Sequence, residues 1–531
     1  MTNKNIVLCS DGTGNKGGYG ADSNVYKTYK AVDVTTPGVH QYTFYDQGVG
    51  TDKSDTSKNK YRTALSGAFG FGFQKNVVHL YHFLARCYQP GDKIFLFGFS
   101  RGAATVRAFA GFLNASGLVD IRHAKSPDGV FDSDRFEQLV DEALDCYRSE
   151  DKAKQQAFKN RYAVSDDRHA PNGDLRIHFI GVWDTVSALG FPEDFSVLLQ
   201  SAGRFLDRAT DRVPAWKHHF YDYELNDSIQ NAYQALAIDD ERQTFRPKVW
   251  DETRFNNTVE QVWFAGVHSN VGGGYPRTGM SDVALVWMLE KAVAHGLVVY
   301  GDVFASYRES ANVYDKLYDS RDGMALYYRY GPRDLEQLCA GKLKSRIAVH
   351  FSAYRKLKEI SEAYAPDGMP ARFDVVDIDD NNPKLAKRVL TVDVAADGKE
   401  SAWREHVTAA ERIIAARKTL YFWFSELTMA IILLSWWFWK WPPEVVTAWQ
   451  GEGLFSLIGD GLRYVTPVFF EHFITYVVDI HPWIAAIMLA VLALISRRRK
   501  ALVNQLDKIC QRMTDLMPTR QPTQPEREEE A

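Results

Sequence analysis

A serine between two glycines is the residue of this chain whose surroundings point most directly to chemistry. Ser100 lies in Gly98–Gly102, a Gly-x-Ser-x-Gly pentapeptide, after the apolar run Ile94–Phe97 and before the alanine-rich stretch Ala103–Ala110. A buried strand, a tight turn and a buried helix form a nucleophile elbow, in which the serine hydroxyl projects from the top of a sheet. The pentapeptide also occurs in ordinary turns, so the flanking strand and helix are what favour a nucleophile.

An acid and a base follow Ser100 in the chain, each directly after an apolar run. Asp184 follows Leu175–Trp183, and His268 follows Val259–Val267. A serine hydroxyl becomes a nucleophile when an imidazole removes its proton, and a carboxylate fixes the tautomer of that imidazole and stabilises its charged form. The order serine, aspartate, histidine is the one that α/β-hydrolases use. We therefore predict Ser100, Asp184 and His268 as a catalytic triad.

The acid and the base each have an alternative. Asp184 could instead cap the N-terminus of a helix. His218, His219 and His295 also follow it, but they lie in charged or helical stretches. Three consecutive glycines, Gly272–Gly274, let the backbone bend sharply close to the predicted histidine, and few purely structural histidines have such neighbours.

Acyl transfer also needs hydrogen-bond donors for the oxyanion of the tetrahedral intermediate. We expect one donor to be the backbone N–H of Arg101, directly after the serine. We expect the second from Gly12 or Thr13, in the polar loop Ser10–Asn15 that follows the apolar run Ile6–Cys9. Loops at the carboxyl ends of parallel strands carry ligands. The alternative for this loop is an Asx turn without a chemical role.

The elements that must position these groups alternate between strand and helix along the chain. Residues 40–46 have the pattern of a strand and residues 77–88 that of a helix, and we interpret 131–159 as a helical insertion that covers one face. We predict a further helix at 226–240. Such alternation is typical of an α/β fold with a mostly parallel sheet. We assign residues 1–300 to an α/β-hydrolase-like catalytic domain with helical insertions.

Composition limits the class of protein. A chain of 531 residues with a net charge of -4 is long enough for two or three domains and gives no sign of nucleic-acid binding. Its five cysteines form no C-x-x-C pair, which argues against a disulfide framework or a zinc site and suits a reducing compartment. The N-terminus has no apolar run typical of a secretory signal peptide. We expect no cofactor to be required, and leave a divalent cation such as calcium open.

Two apolar segments near the C-terminus are candidates for a membrane hairpin. The first, at about 419–439, contains Glu426 as its only charge and ends in a cluster of tryptophans. A bilayer crossing takes about 20 residues, and tryptophans are enriched at membrane interfaces. The second, at about 476–496, must accommodate Asp479 and Pro482. The alternative is a buried core hairpin.

Basic residues set the orientation of this hairpin. They cluster at 412–418 and 497–500, outside the two apolar segments, and the loop between them carries little positive charge. By the positive-inside rule both ends are cytoplasmic, which places the catalytic domain on the cytoplasmic leaflet of the membrane. We assign 419–500 to the hairpin, 301–418 to a cap or extension that ends in a linker helix, and 501–531 to a helix and a disordered tail.

Seven segments of the chain form a joint set of motifs: Cys9–Asn15, Tyr45–Gly50, Gly98–Ala103, Gly181–Val186, Ala237–Arg242, Phe245–Pro247 and Trp263–Ser269. Together they resemble one family, the uncharacterised α/β-hydrolase domain family that includes type VI secretion lipase effectors. The resemblance covers roughly residues 5–300. It implies an α/β-hydrolase fold and, for characterised relatives, phospholipase activity in antibacterial competition.

By motif, the catalytic serine, aspartate and histidine of that family fall on Ser100, Asp184 and His268. The chain departs from the family at Asn270, where an acid is usual. If that acid binds a metal or orients the histidine in the family, this chain lacks the carboxylate for that role.

These observations predict a membrane-anchored serine hydrolase that cleaves phospholipid acyl esters through an acyl-enzyme. Alternatives are an esterase for a non-lipid substrate and a non-catalytic membrane scaffold with a hydrolase fold. The biological role is either that of an exported antibacterial effector or that of a resident defence enzyme that damages its own membrane. Expected partners are membrane phospholipid and no nucleic acid, with an immunity, chaperone or regulatory protein left open.

Overall fold

The structure is a computed structural model, and it describes most of the chain. The described residues are 3–48, 68–166, 175–187, 223–321, 328, 330–359, 364, 366, 368–377, 389–394, 398–441, 459–463, 466 and 468–516. His218, His219 and the predicted disordered tail beyond residue 516 lie outside these residues.

Nine strands form a single sheet. They are β1 (Asn5–Ser10), β2 (Gln41–Asp46), β3 (Lys93–Phe99), β4 (Phe179–Trp183), β5 (Asn231–Ala237), β6 (Thr258–Phe264), β7 (Ala348–His350), β8 (Arg372–Val376) and β9 (Leu390–Asp393). The strand order is β2-β1-β3-β4-β5-β6-β7-β8-β9. Every neighbouring pair is parallel except β8 and β9, which are antiparallel. The predicted α/β class with a mostly parallel sheet is therefore confirmed.

Helices cover both faces of the sheet. They are α1 (Asn24–Ala31), α2 (Ala68–Cys87), α3 (Arg101–Ser116), α4 (Ser133–Ser149), α5 (Lys152–Tyr162), α6 (His268–Gly272), α7 (Gly279–Ala294), α8 (Gly301–Ser310), α9 (Leu335–Cys339), α10 (Phe351–Lys358), α11 (Glu400–Lys440), α12 (Glu471–Ile474) and α13 (Pro482–Asp515).

Side chains alternate along a strand, so the two faces of β1 pack against different helices. Ile6 and Leu8 pack with α2, α3 and α4, while Val7 and Cys9 pack with α1 and α7. The predicted helical insertion is the pair α4 and α5.

The helix predicted at 226–240 is wrong, because this segment contains β5. The strand lies between β4 and β6, and six of its seven residues are buried. A parallel strand that is covered on both faces has a nearly continuous apolar sequence without alternation. Alanine and leucine favour a helix in isolation, and the pairing with two neighbouring strands overrides that preference.

The sheet continues beyond residue 300. The strands β7, β8 and β9 extend it at one edge, and a third group of buried side chains forms around them. The sequence between 301 and 400 mixes aromatic and charged residues without a regular period, yet it supplies three strands and, as described below, one residue of the candidate active site.

The topology creates a crevice beside β1. The strand β2 pairs with one edge of β1, and β3, which follows β2 in the chain, pairs with the opposite edge of β1. Connections that leave neighbouring parallel strands in opposite directions open a crevice at their carboxyl ends, where ligands bind in such sheets. The loop after Ser10 and the turn at Ser100 both lie at this point.

The two apolar C-terminal segments differ in shape. Among the described residues, α11 is the one helix that alone is long and apolar enough to cross a membrane. The second predicted segment is not a continuous helix, because Glu471–Ile480 and α13 meet at His481 with a bend of 99°. Pro482 begins α13, and proline cannot continue a preceding helix since it lacks an N–H. Asp479 is buried at this bend and pairs with Arg463.

Candidate active site

Ser100 occupies a strained turn between β3 and α3. Its φ is 58° and its ψ is −121°, a conformation that residues other than glycine rarely adopt. The Ser100 N–H donates a hydrogen bond to the carbonyl oxygen of Trp183, at 3.1 Å, which ties the turn to the end of β4. Such strain persists where the surrounding structure enforces it, and it concentrates at functional sites.

The glycines on either side of this turn are required by space. A Cβ atom on Gly98 would lie 2.6 Å from the Cα of Ala103, and one on Gly102 would lie 2.1 Å from the carbonyl oxygen of Ser10. Both contacts are with backbone, which cannot move aside as a flexible side chain can. The two glycines of the Gly-x-Ser-x-Gly motif therefore allow β1, β3 and α3 to pack closely.

Asp184 and His268 form a buried pair. His268 Nδ1 donates to Asp184 Oδ2 at 2.5 Å, and both side chains are almost completely buried. The backbone N–H of Ala237 at the end of β5 donates to Asp184 Oδ1 at 3.0 Å. Asp184 has a φ of 41°, and no helix begins at it among the described residues, so the alternative of a helix N-cap does not apply.

Two aromatic rings enclose the imidazole of His268. The ring centroids of Phe99 and Phe245 lie 4.6 Å and 5.1 Å from that of His268. Burial lowers the pKa of His268, although the hydrogen bond to Asp184 opposes this shift. Nε2 of His268 is buried and has no hydrogen-bond partner among the described residues. The imidazole is thus neutral at neutral pH, with Nε2 as the nitrogen that can accept a proton.

Arg333 is a residue of the site that sequence reasoning missed. Its side chain is fully buried, and its Nη1 and Nη2 donate to Asp184 Oδ1 and Oδ2, each at 2.7 Å. The same guanidinium donates to the carbonyl oxygens of Ala237 and Phe245, at 2.5 Å and 2.6 Å. A bidentate arginine fixes the plane of a carboxylate as well as its position. Arg333 therefore orients Asp184 toward His268.

The charge of Asp184 depends on this contact. Burial alone raises the pKa of a carboxyl group, because it disfavours the charged form. For Asp184 the attraction of Arg333 and the hydrogen bond from His268 outweigh burial and hold the pKa well below its usual range. Asp184 is therefore ionised throughout the pH range in which His268 titrates.

The acidic segment Asp239–Arg242, which belongs to the matching motifs of the resemblance, holds the backbone of His268 in place. Asp240 accepts a hydrogen bond from the backbone N–H of His268 at 3.1 Å and pairs with Arg242 at 2.7 Å. The guanidinium of Arg242 lies over the ring of Phe245, 3.5 Å from its centroid. These contacts fix the start of α6 and one wall of the imidazole pocket.

The loop expected to supply an oxyanion donor lies beside Ser100. A Cβ atom on Gly12 would be 3.2 Å from the Cβ of Ser100. The Gly12 N–H, however, donates to Asp11 Oδ1 at 2.6 Å. Asp11 is buried and also accepts hydrogen bonds from Ser23 and Tyr45, so it holds this loop in place. The oxyanion roles of Arg101, Gly12 and Thr13 stay predictions.

Asn270, where the chain departs from the family, makes structural contacts. Its Oδ1 accepts from the N–H of Tyr318 at 3.3 Å, and its Nδ2 donates to the carbonyl oxygen of Lys316 at 3.1 Å. It therefore ties α6 to residues 316–318. Within the described residues, no group of three or more histidine, cysteine or acidic side chains is arranged to hold a metal ion.

The first prediction concerns Arg333. Arg333→Gln leaves Asp184 buried without its cation, and we expect the free energy of unfolding to fall by about 3–5 kcal/mol. The acid limb of the pH profile of kcat/KM for a soluble acyl ester should move to higher pH. An Asp184 charge that is no longer shared with Arg333 stabilises protonated His268 more strongly and so raises the pKa of His268.

Arg333→Lys is the matched variant, because it keeps the charge and loses the bidentate geometry. Its acid limb should stay close to that of the wild type. If Arg333→Gln lowers stability while its pH profile coincides with the wild-type profile, Arg333 has a structural role only.

The second prediction concerns Gly102. Gly102→Ala places a methyl group against the backbone of β1, and we expect the free energy of unfolding to fall by about 1–3 kcal/mol, with loss of esterase activity. Denaturant unfolding and ester turnover measure the two effects. Gly301→Ala is the control, since a Cβ atom there meets nothing within 4 Å. Equal stability of the two variants would contradict the packing argument.

More than half of the chain matches one protein family. Residues 4–291 match the family described as "T6SS, Phospholipase effector Tle1-like, catalytic domain". The uncharacterized protein YEL023C of Saccharomyces cerevisiae is 27% identical over 203 residues, which cover 36% of this chain and 28% of that protein. The chain thus matches less than a third of the length of this curated relative.

Two solved structures show weak similarity. An uncharacterized protein from Pseudomonas aeruginosa aligns with a TM-score of 0.33 and 17% identity, over 59% of this chain and 49% of that one. The RedJ thioesterase of the prodiginine pathway in Streptomyces coelicolor aligns with a TM-score of 0.22 and 12% identity, over 55% and 90%. Neither alignment is close enough to support an argument. The family match spans residues 4–291 of 531, more than half of the chain, and the chain therefore belongs to the family of the Tle1-like catalytic domain of type VI secretion phospholipase effectors.

Proposed function

We propose that the protein is a serine hydrolase of α/β-hydrolase fold that cleaves the acyl esters of phospholipids. The observation that carries this proposal is the buried Asp184–His268 pair, which lies at the same edge of the sheet as Ser100 on its strained turn. Membership of a phospholipase effector family supports lipid as the substrate.

The proposed reaction proceeds in two acyl transfers. Ser100 Oγ attacks the ester carbonyl while Nε2 of His268 takes the hydroxyl proton, and Asp184 stabilises the imidazolium that forms. The lysolipid alkoxide leaves with that proton, and the fatty acyl group stays on Ser100. Water then attacks the acyl-enzyme, again with His268 as base, and releases the fatty acid. The proposed donors to the oxyanion are backbone N–H groups of Arg101 and of the loop with Gly12 and Thr13, and the N–H of Gly12 must first leave Asp11, to which it donates.

We further propose that the C-terminal helices anchor the enzyme in the bacterial inner membrane, with the catalytic domain on the cytoplasmic side. The apolar half of α11 is exposed, with large aromatic side chains on its surface at Phe422, Trp423, Trp436, Trp437 and Trp439. Exposed apolar area of this extent is typical of a membrane-facing surface. The second crossing is formed by α13 together with the bent segment before it, and the Arg463–Asp479 pair neutralises the charge that the segment contains.

The third prediction tests the chemistry. Ser100→Ala should lower the release of fatty acid from phospholipid vesicles by roughly 10³-fold or more, because the acyl-enzyme cannot form. Mass spectrometry of the lipid products measures this and also shows which ester bond is cut. Ser306→Ala, at an exposed serine on α8, is the control and should keep full activity. Release by Ser100→Ala at the wild-type rate would exclude the serine mechanism.

The fourth prediction tests the topology. In intact cells of a bacterial host, Lys440→Cys should react with a membrane-impermeant maleimide added from outside, since it ends the first proposed crossing. Arg498→Cys should react only in inside-out vesicles, because it lies at the cytoplasmic end of α13. The wild-type chain, with its five cysteines, gives the background. Labelling of both variants from the same side would refute the hairpin.

The biological role follows from the compartment in which the enzyme is active. An exported antibacterial effector and a resident enzyme that damages its own membrane share this chemistry. The proposed cytoplasmic orientation favours the resident enzyme, with an immunity or regulatory protein as the partner that restrains it. Toxicity that appears only when the chain is directed to the periplasm would favour the exported effector instead.

A further inference from the structure

Three arginines meet where the two proposed membrane helices reach the catalytic domain. Arg321 lies in the segment after α8, Arg417 on α11 and Arg499 on α13, and all three line one pocket. We call these three residues the arginine cluster. They come from three separate parts of the chain, so the fold itself brings their charges together.

Mostly apolar side chains of the two proposed crossings complete the lining of the pocket beside the arginine cluster. Its other lining residues are Leu420, Tyr421, Phe424, Leu492, Ile495 and Ser496. These residues belong to the first turns of the first proposed crossing and the last turns of the second. The pocket therefore has a cationic end at the catalytic domain and an apolar end along the two helices.

The contacts of the arginine cluster hold it in position. Arg417 Nη2 pairs with Glu241 at 2.9 Å, and its guanidinium lies over the ring of Tyr330, 3.8 Å from the centroid. Arg499 Nη2 pairs with Asp319 at 2.9 Å. The Nε of Arg499 is buried and makes no hydrogen bond to any described residue.

We propose that the arginine cluster binds the phosphate headgroup of an anionic phospholipid, whose acyl chains lie along the apolar end of the pocket. Guanidinium groups match phosphate oxygens in geometry and in charge. Basic pockets between membrane helices on the cytoplasmic side are sites for such headgroups. This inference rests on the proposed membrane hairpin, and it concerns a site separate from Ser100, where the substrate lipid is cut.

The combination of a cationic and an apolar end distinguishes a lipid from a free phosphate ion. Inorganic phosphate would occupy the cationic end alone and leave Leu492 and Ile495 without a partner. A phospholipid satisfies both ends at once. The site would hold one lipid at the junction of α11, α13 and the catalytic domain, and the bound lipid would stabilise that junction.

The experiment uses the full-length chain with Ser100→Ala, so that no lipid is consumed, in a non-ionic detergent. Thermal unfolding is followed during titration with phosphatidylglycerol, phosphatidylcholine or inorganic phosphate. We expect phosphatidylglycerol to raise the Tm and phosphatidylcholine and phosphate to have little effect. Arg499→Gln should weaken the binding of phosphatidylglycerol about tenfold, as expected for the loss of one charged hydrogen-bond donor.

Arg498→Gln is the matched control, because it removes the same charge from the adjacent, exposed position. Its affinity for phosphatidylglycerol should stay within about twofold of the starting protein. The side chain of Arg499 is 31% exposed, so its substitution is compatible with folding. Equal losses in the two variants, equal stabilisation by phosphatidylcholine, or full stabilisation by inorganic phosphate would each overturn the lipid site.

Extraction of bacterial membranes with alkaline carbonate separates this inference from the hairpin on which it rests. If the Ser100→Ala chain leaves the membrane in carbonate, the proposed anchor and the lipid site both fail. If the chain stays in the membrane but shows no preference for phosphatidylglycerol, the lipid site alone fails. Neither outcome bears on the esterase activity of Ser100.

Discussion

The active site depends on one buried ion pair, between Asp184 and Arg333. A carboxylate at the centre of an α/β core is costly because it has left water, and the cost is tolerable only when the charge is paired and hydrogen-bonded. Asp184 meets both conditions, with Arg333, His268 and the backbone of Ala237 as its partners. Without Arg333, the buried carboxylate would lose its cation and the two hydrogen bonds that fix its plane, and the free energy of unfolding would fall.

This pair also explains why the chain beyond residue 300 belongs to the active-site region. Arg333 lies just before α9, and Gly331 donates its N–H to the carbonyl oxygen of Glu241 at 2.8 Å. Glu241 in turn binds Arg417 on α11 and directly follows Asp240, which holds the backbone of His268. A continuous set of contacts therefore joins the base of the proposed membrane anchor to the histidine.

The sequence predicts an element when the residues that determine it lie close together in the chain. The turn at Ser100 is encoded within ten residues, and the strands before Asp184 and His268 are short apolar runs, so these elements could be read directly. The strand β5 could not, because its pairing with two neighbours overrides a helix-like composition. Arg333 carries no local signal at all, since its role arises only when the fold brings it to Asp184. Pro482 is visible in the sequence as a helix breaker, but a proline alone does not fix the angle between the two segments.

Arg333 and His268 both interact with the negative charge of Asp184, and this affects proton transfer. Arg333 keeps Asp184 ionised, but it also shares the negative charge that Asp184 offers to His268. Burial between Phe99 and Phe245 then lowers the pKa of His268, so the imidazole is neutral before reaction and ready to accept a proton. The imidazolium formed during attack remains next to an ionised carboxylate that cannot turn away, because Arg333 holds both of its oxygens. Arg333 thus weakens the attraction between Asp184 and the imidazolium of His268, but it fixes the geometry of the pair. A fixed geometry favours proton transfer in a site from which water is largely excluded.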